Sequence, residues 1–211
     1  MSQAARPDAA HWDARYAAGS PWGREPNRTV RELVTALRPG RARDVAAGDG
    51  RHALWMAGIG WDVDALDFSA TAVEHGRSAA ERLAAEGELS GTVHWEVADA
   101  TTARPERQAY DLVLHAYLHL PPEAAAAALS LSAAGVAPGG LFLLVGHDSS
   151  NLEHGVGGPQ DPSVLTVLDD VTAAMRAAGL GIERAEVVRR EVPGAERPAL
   201  DTLVLARRPP A

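Results

Sequence analysis

The chain contains no cysteine, which excludes disulfide frameworks, thiolate zinc sites, iron–sulfur clusters and cysteine nucleophiles. It contains no lysine either. Each of its 20 cationic side chains is therefore arginine, and Schiff-base chemistry, pyridoxal phosphate attachment and the lysine of a phosphate-binding P-loop are ruled out together. Only 5% of the residues are aromatic, and no apolar run approaches the roughly 18 residues a bilayer span needs. The opening residues, MSQAARPDAAHWDARY, hold no apolar stretch of signal-peptide length, so a cytoplasmic protein without a membrane partner is expected. Acidic side chains number 28, and the resulting charge of -8 repels phosphate backbones, which argues against a nucleic-acid partner and for a small molecule. What is present suffices for a core: 211 residues, 46% of them hydrophobic, fit a single domain over residues 1–211.

From Arg43 onward, short β-like runs alternate with alanine-rich helical stretches, the pattern of an α/β protein with helices on both faces of a parallel sheet. Arg43–Ala47 reads as a strand, Gly48-Asp49-Gly50 as a tight turn and Arg51–Ala57 as a helix. Trp61–Asp67 reads as strand two, and Ser69 is placed to cap a helix whose Val73, Ala80, Leu83 and Ala84 form an apolar stripe. Strand three is Thr92–Ala98, strand four Tyr110–His115, and a helix opened by Pro121-Pro122 is stopped by Pro138-Gly139-Gly140 before the buried strand Leu141–Val145. After a helix over 169–178, two strands around Val187-Val188 and Leu203-Val204-Leu205 are joined too briefly for a crossover, so they should pair antiparallel. Residues 1–40 read as an N-terminal cap over a core of 41–211, and His147–Pro162 as a long glycine-rich loop.

The turn after the first strand is where open α/β sheets bind ligands, and Gly48 and Gly50 let the backbone approach one closely. Alone, Gly48-x-Gly50-x-x-Ala53 is equally a plain tight turn. Asp67 lies 19 positions beyond Gly48 at the end of strand two, where a carboxylate can accept both hydroxyl hydrogens of a ribose. Asp99 ends strand three at the same edge, in reach of an adenine amino group. A nicotinamide dinucleotide and S-adenosylmethionine both meet this description. Asp44 and Asp49 suit an ammonium or sulfonium better than a pyrophosphate, Arg51 offsets them in part, and the absence of lysine removes the usual Tyr-Lys pair of short-chain dehydrogenases, so methyl transfer is the better reading.

At these residues the chain resembles the class I S-adenosylmethionine-dependent methyltransferases. Asp44-Val45-Ala46-Ala47-Gly48-Asp49-Gly50-Arg51 looks like their first motif, Asp67-Phe68-Ser69 like the second, Ala98-Asp99-Ala100 like the third, and Ala137-Pro138-Gly139-Gly140-Leu141 like the turn before strand five. His11-Trp12-Asp13-x-Arg15-Tyr16, Trp22 and Glu25-Pro26-Asn27 are similar to the opening of small bacterial tellurite-resistance and thiopurine methyltransferases. The resemblance implies a Rossmann-like seven-stranded sheet of order 3-2-1-4-5-7-6 with strand seven antiparallel. It implies S-adenosylmethionine as cofactor, released as S-adenosylhomocysteine, with Gly48 and Gly50 at the methionine portion, Asp67 at the ribose, Asp99 at the adenine, and Phe68 and Ala100 flanking the ring. Trp22, Ala46, Asp49, Arg51, Ser69 and His115 complete the expected cofactor set. The sequence departs at Ala46, where many relatives carry glycine, and at Ala47, where close relatives often carry cysteine or glycine.

Methyl transfer from a sulfonium is an in-line displacement that depends chiefly on alignment and exclusion of water, so no catalytic base is obligatory. A thiolate or a selenium or tellurium oxyanion is already nucleophilic, whereas an amine or hydroxyl must lose a proton, the task for which histidine is suited. His115, Tyr117 and His119 follow strand four and His147 follows strand five; His119 and His147 are expected to line the acceptor pocket as the catalytic pair. His147, Asp148 and His154 are usual metal-ligand types, but a merely polar loop looks the same and no metal is assigned. The expected partner is a small-molecule acceptor, possible classes being a thiol, a thiopurine or a chalcogen oxyanion, and the chain is expected to be a monomer or homodimer. The alternatives are a non-catalytic binder of S-adenosylmethionine or its product, and an NAD(P)-dependent oxidoreductase. The 147–162 loop and the N-terminal segment are expected to close together as a lid, with Asn151, Gln160 and Trp22 offering hydrogen bonds to the acceptor.

Overall fold

The computed structural model describes residues 8–211, so the first seven residues of the expected cap lie outside the described residues. The strands form a seven-stranded sheet of order β3-β2-β1-β4-β5-β7-β6, as the resemblance implied. The chain divides into two compact units, residues up to Ala103 and Arg104–Ala211.

In the first unit, α1 (Ala9–Ala17) and α2 (Arg28–Thr35) precede β1 (Arg41–Val45), α3 (Arg51–Gly58), β2 (Asp62–Asp67), α4 (Ala70–Ala85) and β3 (Thr92–Val97). The three strands pair in parallel, Val45 against Leu66 and Asp67 against Val97. Strand one ends two residues earlier than expected because Ala46 turns into the left-handed region at φ 58, followed by Gly48 at 59 and Gly50 at 90. A side chain at such a φ costs about 1–2 kcal/mol, which explains why glycine suits position 46. Two short polar side chains set the helix starts: Asn27 accepts the amides of Thr29 and Val30, and Ser69 accepts that of Ala72, as expected. The apolar stripe on α4 is displaced. Its buried residues are Ala72, Val73 and Gly76, Ala80 and Leu83 are half-buried and Ala84 is exposed, with α4 packed on α1, β2 and the edge strand β3. Trp61, Met56, Val30 and Val34 are fully buried, each worth about 1.5–3 kcal/mol of transfer free energy.

In the second unit, β4 (Tyr110–Ala116), α5 (Pro122–Gly135), β5 (Val136–His147), α6 (Asn151–His154), a 3-10 turn over Pro162–Val164, α7 (Leu168–Ala177), β6 (Gly181–Arg190) and β7 (Ala199–Arg207) follow in order. β4 and β5 are parallel, β5 and β7 antiparallel, and β6 and β7 antiparallel as their short connection required. Pro138-Gly139-Gly140 does not stop a helix. It lies inside β5, where the register slips between Tyr110 and Leu112 and Gly139 donates to the Arg208 carbonyl. The expected long loop is also more built than composition suggested: Asp148 bridges to Thr166, α6 adds a helical turn, and buried Asn151 donates to the Gly157 carbonyl and accepts from the Leu200 amide.

Candidate active site

At the end of β2, Asp67 is 6% exposed and both its oxygens are held by the backbone: Oδ2 accepts from the Gly48 amide and Oδ1 from the Ser69 amide, each at 2.9 Å. Burial raises its ionisation above the usual carboxylate range, and the backbone amides of Ser69, Gly48 and Phe68 oppose the rise. Asp44, at the end of β1, is wholly buried and pushed up to about 7 by desolvation, although the Arg51 guanidinium and the Ala53 amide favour its ionised form. Its Oδ2 has no hydrogen-bond partner. A carboxylate oxygen orphaned beside a glycine turn is suited to a cationic ligand group, and an ammonium would supply the missing partner. Asp49 accepts from the Ser20 hydroxyl. Asp99 is engaged locally, accepting the Thr101 amide and hydroxyl at 2.8 Å, and Ala100 is buried beside it.

The N-terminal segment, expected from the sequence to cover the cofactor site, brings α1 against this turn, though the particular contact of Tyr16 with Gly48 was not foreseen. The Tyr16 hydroxyl lies so near Gly48 that a Cβ there would collide with it. Burial and the Asp67 and Asp49 carboxylates push the phenol's ionisation up, while a hydrogen bond from Trp22 opposes them. Asp13 anchors the same helix to the start of α4, accepting from the Ser69 hydroxyl at 2.6 Å and the Thr71 amide at 3.0 Å. Trp22 is 48% exposed, with the Arg15 guanidinium 4.8 Å from its ring. A cavity of about 700 Å³ opens beside α3 and α4, lined by Leu54, Trp55, Ile59 and Leu83; it includes Asp49 and Arg51 but not Asp67 or Asp99. The WDxRY pattern was the signal that could have placed Tyr16 here, since Asp13 and Tyr16 stand three apart on one helical face.

In the second unit the structure brings together two of the three predicted histidines. The rings of His119 and His147 are stacked, their centroids 5.4 Å apart. His147 Nδ1 lies 3.3 Å from Asp201 Oδ1, and Tyr117 donates its hydroxyl to Asp201 Oδ2 at 2.7 Å. Arg190 donates to both Asp201 oxygens, from Nε at 2.7 Å and from a terminal nitrogen at 3.4 Å. Burial depresses His119 to about 4 and lowers His147, with Asp201 opposing the fall in both. His115 is placed otherwise. Its Nε2 is 2.7 Å from the Ser132 hydroxyl of α5 and its ring meets Phe142 at 5.4 Å, so it is core packing and not the cofactor contact expected of it. Asn151 and Gln160 also bond within their own segment, each to a backbone carbonyl of the 157–158 turn, rather than standing free for an acceptor. Among the described residues no group of three ligating side chains is placed to hold a metal ion.

Residues 43–140 match the family model described as a methyltransferase domain. No curated protein sequence matches the chain. Among solved structures, an S-adenosylmethionine-dependent methyltransferase of Methanosarcina mazei superposes with a TM-score of 0.70 at 13% identity, over 89% of this chain and 100% of that one. TehB of Haemophilus influenzae gives 0.70 at 15% identity, over 95% and 66%. Magnesium protoporphyrin IX methyltransferase of Synechocystis, solved with bound S-adenosylmethionine, gives 0.66 at 17% identity, over 98% and 100%. A methyltransferase-domain model thus matches residues 43–140, and the chain shares the fold of these solved methyltransferases.

Proposed function

We propose that the protein transfers a methyl group from S-adenosylmethionine to a small-molecule acceptor. The observation that carries this reading is the strand-end pair Asp44 and Asp67: one buried carboxylate with an orphaned oxygen at a glycine turn, and a second oriented by two backbone amides. In this reading Asp44 meets the ammonium group, Gly48 and Gly50 lie along the methionine portion, Asp67 takes the ribose hydroxyls and Asp99 the adenine, with Phe68 and Ala100 beside the ring. When bound, the sulfonium supplies an electrophilic methyl carbon; the protein's own task is to orient the two partners and to exclude water.

A thiol, a thiopurine and a chalcogen oxyanion are the acceptor classes to be distinguished, in a pocket proposed to be lined by His119 and His147. A binder without activity is the rival reading, and the stacked imidazoles of His119 and His147, the first with an unpartnered Nε2 and the second against Asp201, are the equipment it leaves unexplained. Calorimetry with S-adenosylmethionine and NADPH in parallel tests the cofactor, with binding expected for the first alone; the reverse result would sink the proposal. Mass spectrometry after incubation with methyl-labelled cofactor and a panel of thiophenol, thiopurine, selenite and tellurite tests the transfer, and a bound cofactor that never loses its label would favour the silent binder.

A further inference from the structure

Buried histidines in this protein fall into two kinds. His52 accepts the Asn27 amide at 3.2 Å, and His115 shares a hydrogen bond with Ser132, so both are satisfied parts of the core. His119 Nε2 is buried with no hydrogen-bond partner, and His147 Nδ1, buried beside it, faces the Asp201 carboxylate at 3.3 Å. A buried nitrogen left unpaired represents a desolvation cost of about 1–3 kcal/mol that the fold does not recover, and a carboxylate held against the neighbouring ring suits chemistry better than packing. Around them the arrangement is ordered. Asp201 is 1% exposed and pairs directly with His147 across the β5–β7 ladder. Tyr117 and Arg190 fix its orientation without hydrogen-bonding His147, and Tyr117 adopts φ 61, a conformation costly for an aromatic residue, where it bonds Asp201. Gly158 closes over His147: a Cβ at that position would stand 2.8 Å from Cγ and Cδ2 of the ring.

We infer that His147 is the proton acceptor of the reaction, oriented through Nδ1 by Asp201 with Tyr117 and Arg190 as positioning residues, and that the methyl acceptor is a proton-bearing nucleophile, a thiol, amine or hydroxyl compound, rather than a selenium or tellurium oxyanion. This inference rests on the methyl transfer proposed above. As the bond from the acceptor atom to the methyl carbon forms, the carbon–sulfur bond breaks with its electron pair passing to sulfur, and the acceptor proton passes to His147 Nε2. The groups that face His147 are Asp201, Arg190, His119 and Tyr117. Burial and Arg190 keep its ring neutral at physiological pH, and Asp201 holds back that fall and is the acceptor for an Nδ1 proton, leaving Nε2 as the basic atom.

Imidazole nitrogen NMR on the intact protein tests the pair without any acceptor. Wild type should show His147 in the Nδ1–H tautomer, and Asp201→Asn should lower its titration midpoint by about one pH unit as the opposing charge is lost. Tyr117→Phe should produce a smaller fall of the same sign. An unchanged midpoint in Asp201→Asn, or an Nε2–H tautomer in wild type, overturns the inference. In turnover assays with S-adenosylmethionine and catechol or tellurite, methylation of catechol should decline as pH falls through the His147 midpoint. His147→Gln should then lose about 100- to 10,000-fold in kcat with cofactor affinity retained. Tellurite methylated equally by wild type and His147→Gln would overturn the inference while leaving methyl transfer standing; failure of wild type to bind S-adenosylmethionine would overturn the methyl-transfer reading itself and leave the titration result untouched.

Discussion

The two units hold the carboxylates of their proposed sites by different means. Asp67 is gripped by backbone amides that come from 19 and 2 residues away, whereas Asp201 is gripped by side chains, a tyrosine 84 residues away and an arginine 11 residues away. A backbone donor survives every substitution except proline, so the first grip belongs to the turn itself. A side-chain donor is replaceable one residue at a time. The first arrangement suits a ligand that never changes and the second an acceptor that does, which is the division expected if one unit holds a common cofactor and the other selects what is modified.

Acid separates the units most strongly. In the second, His115 and His119 are held near 4 and His147 is also lowered, so their contribution to stability is present above the ordinary histidine value of 6.5 and lost as pH falls from there toward 4. In the first, His52, depressed to about 3, behaves the same way, but Asp44, raised to about 7, has the opposite sign because the native state gains a proton there before the unfolded chain does, and Asp67 is shifted in the same direction. Each net proton is worth about 1.4 kcal/mol per pH unit, so the second unit should weaken by roughly 2–3 kcal/mol per unit while the first changes little. Native-state hydrogen exchange at pH 7 and pH 5 measures this directly, and equal weakening of β2 and β5 would refute it.

Asp67→Ala should come next. It removes both ribose contacts, each charge-assisted bond worth about 1.5–3 kcal/mol, so affinity for S-adenosylmethionine should fall at least about 100-fold. It also orphans the Gly48 and Ser69 amides, and the melting temperature should drop with it; Asp67→Asn restores one acceptor and should recover most of the stability but little of the affinity. Wild-type affinity in either variant would remove Asp67 from the ribose. Asp44→Asn should cost about tenfold in affinity, the loss of one charged hydrogen bond. Because Asp44 is half-protonated near pH 7, wild-type binding at pH 6.5 should release a proton, seen as a calorimetric enthalpy that varies with the buffer, and the Asn variant should release none. A buffer dependence that persists in Asp44→Asn would assign the proton elsewhere.

The same contrast explains what could be read from the sequence. The first site was legible because its pieces are local: Gly48, Asp67 and Ser69 each sit one turn from a strand end, and strand ends can be found by periodicity. Ser69 as a cap and the antiparallel β6–β7 pair were legible for that reason too. The second site was half legible. His119 and His147 follow strands that a reader can place, but Asp201 and Arg190 lie in a hairpin whose register, not whose sequence, sets Asp201 opposite His147. Nothing in the pattern around Thr202 distinguishes Asp201 from a surface acid. His115 was misjudged because β4 is buried on both faces from Leu112 to His115, so alternation gives no sign of which way its ring turns, and only Ser132 on α5 settles it.

The smallest expected effect concerns which segments respond to the cofactor. Composition suggested that the N-terminal segment and the 147–162 loop would move together, but the two are anchored in different places. The loop is tied down by Asn151, whose amide group spans from Gly157 to Leu200, and by Asp148, which accepts from the Thr202 hydroxyl at 2.6 Å and the Ser150 amide at 2.9 Å. The segment carrying α1 is held to the site by Asp13 on Ser69 and Thr71 and by Tyr16 above Gly48, where a methionine moiety resting on the glycine turn must share or displace the tyrosine hydroxyl. Addition of S-adenosylhomocysteine should therefore change exchange at amides of residues 9–18 and around Gly48 by severalfold, while amides of residues 150–166 keep the protection they already have. Coordinated change in both segments would restore the two-part lid, and change at the Gly48 turn alone would show that α1 rests on the site without gating it.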